Sequence, residues 1–424
     1  MAKVCVINVV GLTPELARRA PRILTVGNPL AWKPPVPAVT CTAQATMLTG
    51  LPPSKHGIVG NGWLHRDTGE VRFWQQAYSL ISGESVTAGV KAASIGWWFP
   101  LGAPLSWYVT PRPHYGADGS KVFAILDETG CALGEKLGPF PFHAFWGPMA
   151  GLLSSEWLAK AAALVMREKR PDLTLVYLPH LDYDYQRYGP GDEKPLREVD
   201  ACAGRVMEAA HDIGAKVVVV SEYGLVPVSN PVLLNRAFRE KGWLAVRDGP
   251  FGEMLLPYQS RAFAVCDHQV AHVYVRGLPL DEVKRFVAGV SGVARVCAPA
   301  ELELDHPRSG DLIALAKPDA WFCYYYWRDD ARAPDFARTV DIHRKPGYDP
   351  CELFMTSKAR AGIRLLQKSL GFRYLMDVVP LDPTLVRGSH GLLARSAEGP
   401  VIIAESPPAA MTGFPDYLRY LLAH

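Results

Sequence analysis

Residues 37–62 read PAVTCTAQATMLTGLPPSKHGIVGNG, and this stretch indicates how the chain is organised. Two hydroxyl residues, Thr40 and Thr42, stand where a strand or loop should lead into a short helix over 43–49. We expect that helix to end at Gly50, because glycine and the prolines that follow stop a helix. A hydroxyl at the start of a helix lies near unpaired N–H groups, which suits a phosphate or an alkoxide nucleophile. The alternative is that one of the two threonines is a simple N-cap.

A longer motif extends from Thr49, where the sequence reads TGLPPSKHGI, with Asn61 three residues further on. It resembles the nucleophile segment of the type I phosphodiesterase/nucleotide pyrophosphatase branch of the alkaline phosphatase superfamily. In that branch a threonine begins a helix that ends in Thr-Gly-Leu-x-Pro-x-x-His-Gly-Ile. Counting back from Thr49 places Thr40 on the family nucleophile. The resemblance implies a hydrolase of phosphoester bonds that uses Thr40 as its catalytic residue together with a divalent metal.

The composition is that of an ordinary globular protein, with 424 residues, 49% hydrophobic and 21% charged. The net charge of +3 gives no indication of nucleic-acid or membrane-surface binding, so the expected partner is a small phosphoester or another anionic substrate. The eight cysteines are scattered without a Cys-x-x-Cys pair. They predict free buried thiols and a cytoplasmic location.

Three apolar runs predict buried strands, over 4–10, 173–179 and 216–224, and helices over 155–169 and 195–212 precede the last two. Continuous apolar strands that alternate with helices are typical of a parallel sheet covered on both faces. The predicted fold class is therefore α/β. The resemblance implies an alkaline-phosphatase-like core, with a mainly parallel sheet flanked by helices, plus a smaller α+β subdomain.

The chain is predicted to divide into a core over 1–229, a small α+β subdomain over 230–380 and a return to the core over 381–424. Within the core, 63–148 is rich in aromatic residues and is interrupted by proline and glycine. We interpret it as an irregular insertion over the mouth of the site, where aromatic rings can stack on a planar or apolar leaving group. The alternative is a small satellite core beneath long loops.

Thr40, Asp182 and Glu222 each fall at the carboxyl end of a predicted strand. Since functional groups in parallel sheets gather at the carboxyl ends of the strands, we expect the three to lie together. The family holds two divalent metals, typically Zn²⁺, with carboxylates and imidazoles. The resemblance carries the metal-ligand role to Asp182, Glu222 and His390, the last in a Gly-Ser-His-Gly loop.

Three family ligand positions are altered in this chain. Val10 stands in place of an aspartate, Gln186 in place of a histidine and Tyr223 in place of a second histidine. Amide and phenol groups are poor zinc ligands, so the number of ions, one or two, stays open. Further polar residues are candidates for a remade site: Asn8, Thr42, Gln44, Gln186, Tyr223, Asp267 and His268.

Two of these candidates have competing explanations. Asp267 and His268 follow an apolar strand, where a capping aspartate and a surface histidine would be equally ordinary.

Ala43 stands where family members commonly have an asparagine that helps to hold a phosphoryl oxygen, and Thr42 or Gln44 would have to substitute. Two other functions therefore stay open: a protein of this fold that binds an anionic ligand without turnover, and a hydrolase that acts on another ester, such as a sulfate or phosphonate ester.

Overall fold

A large β-sheet forms the centre of the computed structural model, which describes residues 2–117, 121–392 and 398–424. Residues 118–120, within the predicted insertion, and 393–397, within the predicted return to the core, thus lie outside the described residues. Among those described, the sheet has eight strands. In spatial order they are Pro29–Ala31, Val401–Ile403, Ala215–Val220, Lys3–Val9, Leu173–Leu178, Ala92–Ile95, Trp107–Pro111 and Ile125–Asp127.

The five strands from Ala215–Val220 to Trp107–Pro111 in this order are parallel, and the pairings at both edges are antiparallel. Every residue of Leu173–Leu178 is buried, which explains its mainly apolar sequence. Helices cover the sheet, chiefly Leu152–Lys169, Glu193–Asp212 and Phe414–Ala423. The predicted α/β class with a mainly parallel sheet is confirmed.

The interpretation of 63–148 as an irregular insertion needs correction. This segment supplies three strands of the large sheet, Ala92–Ile95, Trp107–Pro111 and Ile125–Asp127. The first two extend the parallel part of the sheet, and Ala92–Ile95 is fully buried. The sequence did not indicate these strands, because they are short and lie between turns with proline and glycine, so their apolar runs are weak.

A second, antiparallel sheet contains Ala262–Asp267, Val270–Val275, Leu312–Ala316 and Val293–Cys297, in that order. The helix Leu280–Ala288 joins the second and fourth of these strands, which are separated by Leu312–Ala316. A hydrophobic cluster distinct from that of the large sheet lies here. The proposed division at 229 and 380 stays a prediction.

The remaining described elements are short. The helices are Pro14–Ala17, Thr40–Thr49, Pro53–His56, Leu133–Leu137, His180–Tyr188, Leu234–Glu240 and Lys358–Ser369. Paired minor strands are Gly62–His65 with Glu70–Phe73, His114–Tyr115 with Lys121–Val122, Val226–Pro227 with Gly388–Ser389, Asn230–Val232 with Ala320–Phe322, and Val246–Arg247 with Met254–Leu255. Helical turns of the 3₁₀ type are Ile23–Val26, Tyr78–Leu80, Phe142–Ala144, Pro299–Leu302, Asp330–Arg332, Asp335–Arg338, Pro350–Leu353, Pro383–Leu385 and Met411–Gly413. Within the described ranges, no helix is both long enough and apolar enough to cross a membrane.

Candidate active site

A group of polar side chains lies at the carboxyl ends of the central strands. Asn8 belongs to the end of Lys3–Val9, Asp182 to the helix His180–Tyr188 that follows Leu173–Leu178, and Glu222 to the turn after Ala215–Val220. All three side chains are buried. The neighbouring strands run parallel, so their ends meet at one edge of the sheet, as the sequence predicted.

Thr40 is the first residue of the helix Thr40–Thr49, which begins three residues before its predicted start. Val39 is the N-cap, so the interpretation of Thr40 or Thr42 as an N-cap is wrong. The helix ends as predicted at Gly50, whose φ of +73° is readily adopted by glycine. The Thr40 hydroxyl lies 3.3 Å from the Tyr223 hydroxyl. The Thr42 hydroxyl is buried and has no hydrogen-bond partner among the described residues.

Asp182 accepts hydrogen bonds from two of the residues that replace family histidines. The Tyr223 hydroxyl donates to Oδ1 over 3.2 Å, and Gln186 Nε2 donates to Oδ2 over 2.7 Å. Burial raises the pKa of Asp182 to about 7, against the effect of the Gln186 and Tyr223 hydrogen bonds. Both carboxylate oxygens thus have donors within the chain, and the group titrates near neutral pH.

Glu222 is held in a similar way by two neutral amides. Asn8 Nδ2 and Gln44 Nε2 both donate to Oε1, over 2.7 and 2.6 Å, and Oε2 has no partner among the described residues. The Gln44 amide is oriented by the backbone N–H of Trp98, which donates to Gln44 Oε1 over 2.7 Å. Burial raises the pKa of Glu222 to about 8, while the hydrogen bonds from Gln44 and Asn8 oppose the rise.

Four aromatic rings contact each other in a row beside Asp182, and we call Tyr223, His390, His268 and Tyr348 the aromatic column. Successive ring centroids lie 3.4, 3.7 and 3.7 Å apart. The Tyr348 hydroxyl donates to Gln186 Oε1 over 2.7 Å. Gln186 and Tyr223 both donate hydrogen bonds to Asp182, and the aromatic column connects Tyr223 to Tyr348, which binds Gln186. Asp182 and these residues therefore form a continuous ring of contacts.

Asp267 and His268 belong to this site, and the interpretation of His268 as a surface histidine is wrong, because it is buried. His268 has a φ of +59° in the turn after Ala262–Asp267, which directs its ring into the column. Asp267 accepts from the backbone N–H and the amide of Asn61 over 2.7 and 3.1 Å. Asn61 Oδ1 in turn accepts from the Cys41 N–H over 3.0 Å, so this pair anchors the start of the Thr40 helix.

Tyr348 is the site residue that sequence reasoning missed. It is separated from Gln186 by 162 positions, and the sequence around it carries no motif that marks it. Asn61 did carry a signal, because it follows the histidine of the long motif. The sequence could not predict that Asn61 holds the helix start through Asp267, because Asp267 belongs to the second sheet and the packing of the two sheets was not known.

The donor set does not fit a pair of zinc ions. Across the described residues, no three His, Cys, Asp or Glu side chains are arranged to hold a metal ion. Val10, Gln186 and Tyr223 offer no carboxylate or imidazole, and the last two bind Asp182 instead. His390 does retain the arrangement of a metal-ligating histidine: its Nδ1 hydrogen-bonds the Ala38 carbonyl at 2.8 Å. Its Nε2, without a hydrogen-bond partner among the described residues, lies 3.8 Å from Asp182 Oδ1.

A cavity of about 790 Å³ lies beside the polar site. Its lining is mainly aromatic and apolar: Phe73, Trp74, Trp98, Tyr115, Phe123, Phe142, Phe145, Trp146, Met149, Val340, Ile342, Leu365, Met376 and Val378 are among its members. Trp74 and Trp146 contact Tyr348 with ring centroids 6.1 and 5.8 Å apart. Tyr348 and Trp98 therefore connect the cavity wall to the hydrogen-bonded groups around Asp182 and Glu222.

Comparison with known proteins agrees with this architecture. The sequence profile of type I phosphodiesterase / nucleotide pyrophosphatase matches residues 4–349 and confirms the resemblance seen in the sequence. Phosphonoacetate hydrolase from Sinorhizobium meliloti 1021, in complex with phosphonoformate, is similar in structure, with a TM-score of 0.63 and 16% identity over 99% of this chain and 96% of that one. Murine ectonucleotide pyrophosphatase/phosphodiesterase 5 gives a TM-score of 0.58 and 14% identity over 99% and 95% of the two chains. An inactive form of the murine protein, in complex with AMP, gives 0.59 and 13% over 100% and 95%.

Proposed function

Because the chain belongs to the type I phosphodiesterase/nucleotide pyrophosphatase family, whose members are phosphoric ester hydrolases, we propose that it hydrolyses a phosphoester with Thr40 as the nucleophile. One observation carries the proposal. The Thr40 hydroxyl, at the first residue of a buried helix, contacts the Tyr223 hydroxyl, which itself donates to Asp182. The helix start favours the negative phosphate.

The hydrogen-bond directions define a path for the proton. Since the Tyr223 hydroxyl donates to Asp182 Oδ1, its oxygen is available to accept from the Thr40 hydroxyl. As Thr40 Oγ1 bonds to phosphorus and the P–O bond to the leaving group breaks, the threonine proton passes to Tyr223 and the tyrosine proton to Asp182. A carboxyl group with a pKa of about 7 suits this role at neutral pH. Water then hydrolyses the phosphothreonine.

The cavity beside the site favours a large apolar or aromatic leaving group. Its volume of about 790 Å³ lies within the usual range for small-molecule sites, and Trp74, Trp98 and Trp146 offer ring faces next to the polar groups. A diester with an aryl substituent would bury that substituent there while its phosphate faces Thr40.

A divalent metal also belongs to the proposal, although the residues present do not fit a pair. Asp182 and His390 are the side chains that would hold a single cation, because they provide a carboxylate and an unpartnered imidazole nitrogen. When bound, such a cation supplies Lewis-acid polarisation of the phosphoryl oxygen. The proton path from Thr40 to Asp182 applies to the site without a cation, because it requires Asp182 to accept from the Tyr223 hydroxyl.

Hydrolysis of bis(4-nitrophenyl) phosphate by Thr40 variants tests the proposal. We expect Thr40→Ala to reduce turnover to background and Thr40→Ser to retain part of it, because serine keeps a hydroxyl at the same position. Thr49→Ala is the control, since it removes a hydroxyl from the last turn of the same helix, where that hydroxyl donates to the Ala45 carbonyl, and it should turn over as the wild type does. Turnover by Thr40→Ala at the wild-type rate would refute the nucleophile.

A second function is favoured by one observation. Neutral donors of the chain occupy both oxygens of Asp182 and one oxygen of Glu222, which leaves few free groups to activate a nucleophile. The same fold would then bind an anionic ligand without turnover. Isothermal titration with phenyl phosphate separates the two functions, because a binding protein would show saturable binding and no hydrolysis of any aryl ester tested.

A further inference from the structure

The helix Lys358–Ser369 has its apolar side chains on the outside. None of its twelve residues, all of them described, is buried. Ile363, Leu366 and Leu370 follow each other at helical spacing on one face, and their exposed fractions are 58%, 58% and 63%. A surface helix of a globular protein normally turns such a face towards the core. An apolar stripe that faces outward indicates a partner surface.

Five basic residues occur in this helix and just after it. Lys358, Arg360, Arg364, Lys368 and Arg373 all occur after Glu352, and the next acidic residue is Asp377. Asp377 pairs with Arg360 and Arg364, so the other three cations lack an acidic neighbour within this stretch of sequence. A helix with exposed leucines beside lysine and arginine has the composition of helices that lie in the interface of a bilayer.

The same helix forms part of the rim of the apolar cavity. Ala361 and Leu365 belong both to this helix and to the cavity lining. Across the opening, Tyr115 and Met149 line the same cavity and are also exposed. Exposed apolar residues therefore occur both on this helix and on the cavity rim, and we call the helix with the turn through Leu375 the basic apolar surface.

We propose that the basic apolar surface docks on an anionic lipid bilayer, with Ile363, Leu366 and Leu370 inserted at the level of the headgroups. A helix of twelve residues is about 18 Å long, too short to span the hydrocarbon core but long enough to lie in the membrane plane. The charge of this surface matches anionic headgroups. This inference does not depend on the activity of Thr40.

The charge also argues against a second copy of the chain as the occupant. In a twofold dimer each surface meets an identical one, so the cluster of cations would face its own copy. Like charges in contact oppose association, whereas an anionic bilayer attracts them. The small overall charge of +3 conceals this local excess, which is why the sequence as a whole gave no indication of membrane binding.

Co-sedimentation with vesicles tests the proposal on the full chain. Vesicles of phosphatidylcholine alone are compared with vesicles that also contain phosphatidylglycerol, at low salt and at about 1 M salt, where the Debye length is only about 3 Å. We expect binding to the anionic vesicles alone and its loss at high salt. The variant Lys358→Gln/Arg373→Gln should bind about 30-fold more weakly, since each basic residue near the surface contributes roughly a fivefold factor.

Two further variants separate the apolar contribution from a change of charge or of fold. Ile363→Gln/Leu366→Gln should weaken vesicle binding by about tenfold or more, because burying each of these side chains in lipid is favourable. Leu30→Gln/Leu280→Gln and Lys284→Gln/Arg285→Gln change exposed residues elsewhere and should bind as the wild type does. Absence of binding to anionic vesicles, or equal binding by all variants, would overturn the proposal. A dimer in light scattering that Ile363→Gln/Leu366→Gln converts to monomer would assign the surface to a second copy instead.

Discussion

The substitution Glu222→Gln tests how the buried carboxylates are held, and it needs no knowledge of the substrate. The pKa of Glu222 is raised by burial from 4.5 to about 8. The folded protein thus keeps a proton on this group at pH values where the unfolded chain has released it. The stability from this group is complete below pH 4.5 and is lost as the pH rises through 8. Glutamine has no proton to release, so the variant lacks this loss.

The size of the effect follows from the two pKa values. Between pH 5 and pH 8 the wild type should lose about 3 kcal/mol of stability that Glu222→Gln retains. For a chain of 424 residues this corresponds to about 3–4 °C in the midpoint of thermal unfolding. The substitution also changes the free energy of unfolding by a constant offset, which does not depend on pH. The glutamine oxygen can replace Oε1 as acceptor for Asn8 and Gln44, but its amide would stand at Oε2, where an unpaired buried donor costs about 1–3 kcal/mol.

Thermal unfolding of both proteins at pH 5 and pH 8, in the presence of a chelator, measures the difference. For each pH we take the gap between the unfolding midpoints of wild type and variant. The change in this gap from pH 5 to pH 8 reports the proton, because the constant offset cancels. Glu240→Gln is the control, since it makes the same chemical change at an exposed position and should show no change in the gap. An equal gap for Glu222→Gln at both pH values would show that Glu222 does not exchange its proton in this range.

Three other predictions concern the same site. Tyr223→Phe removes the hydroxyl between Thr40 and Asp182 and should lower turnover of an aryl diester by about 10²-fold or more. The acid limb of its pH–rate profile should move to higher pH, because Asp182 loses a hydrogen bond that lowers its pKa. An unchanged profile would exclude the proton path. Gln186→His combined with Tyr223→His restores two imidazoles beside Asp182 and should raise the zinc content of the purified protein, measured by mass spectrometry, above that of the wild type. Trp74→Ala, which removes a ring from the cavity wall, should raise KM for an aryl diester more than for a methyl ester of the same phosphate, and equal effects on both would place the aryl group elsewhere.

Local and periodic features of the sequence predicted much of the fold. The runs at 4–10 and 173–179 are apolar at most positions, because the strands Lys3–Val9 and Leu173–Leu178 are almost fully buried and have no solvent side to mark with polar residues. The position of Asp182 and Glu222 next to each other followed from a topological rule, since both come directly after parallel strands. These inferences required no knowledge of which distant segments meet.

The parts that failed depend on contacts between distant segments. The burial of His268 comes from the packing of Tyr348 and His390 on its two faces, and these lie 80 and 122 positions further along the chain. The early start of the Thr40 helix depends on Asn61, which binds the Cys41 N–H from outside the helix. No propensity of the local sequence encodes such anchors. The cytoplasmic location likewise stays a prediction.

The replaced ligand positions follow one physical pattern. A buried carboxylate needs a cation, hydrogen bonds or a proton, because an isolated charge in the interior is costly. Tyr223, Gln186, Asn8 and Gln44 supply hydrogen bonds from neutral groups, which leave each carboxylate only partly compensated.

A proton neutralises the buried charge that these hydrogen bonds leave uncompensated. For this reason the pKa values of Asp182 and Glu222 are raised to about 7 and about 8. A bound cation would lower both values by its charge and would displace the donors from Asp182. The pH dependence of stability therefore distinguishes two states of the site. With no cation, stability should fall between pH 5 and pH 8, and a cation on Asp182 should move that fall to lower pH.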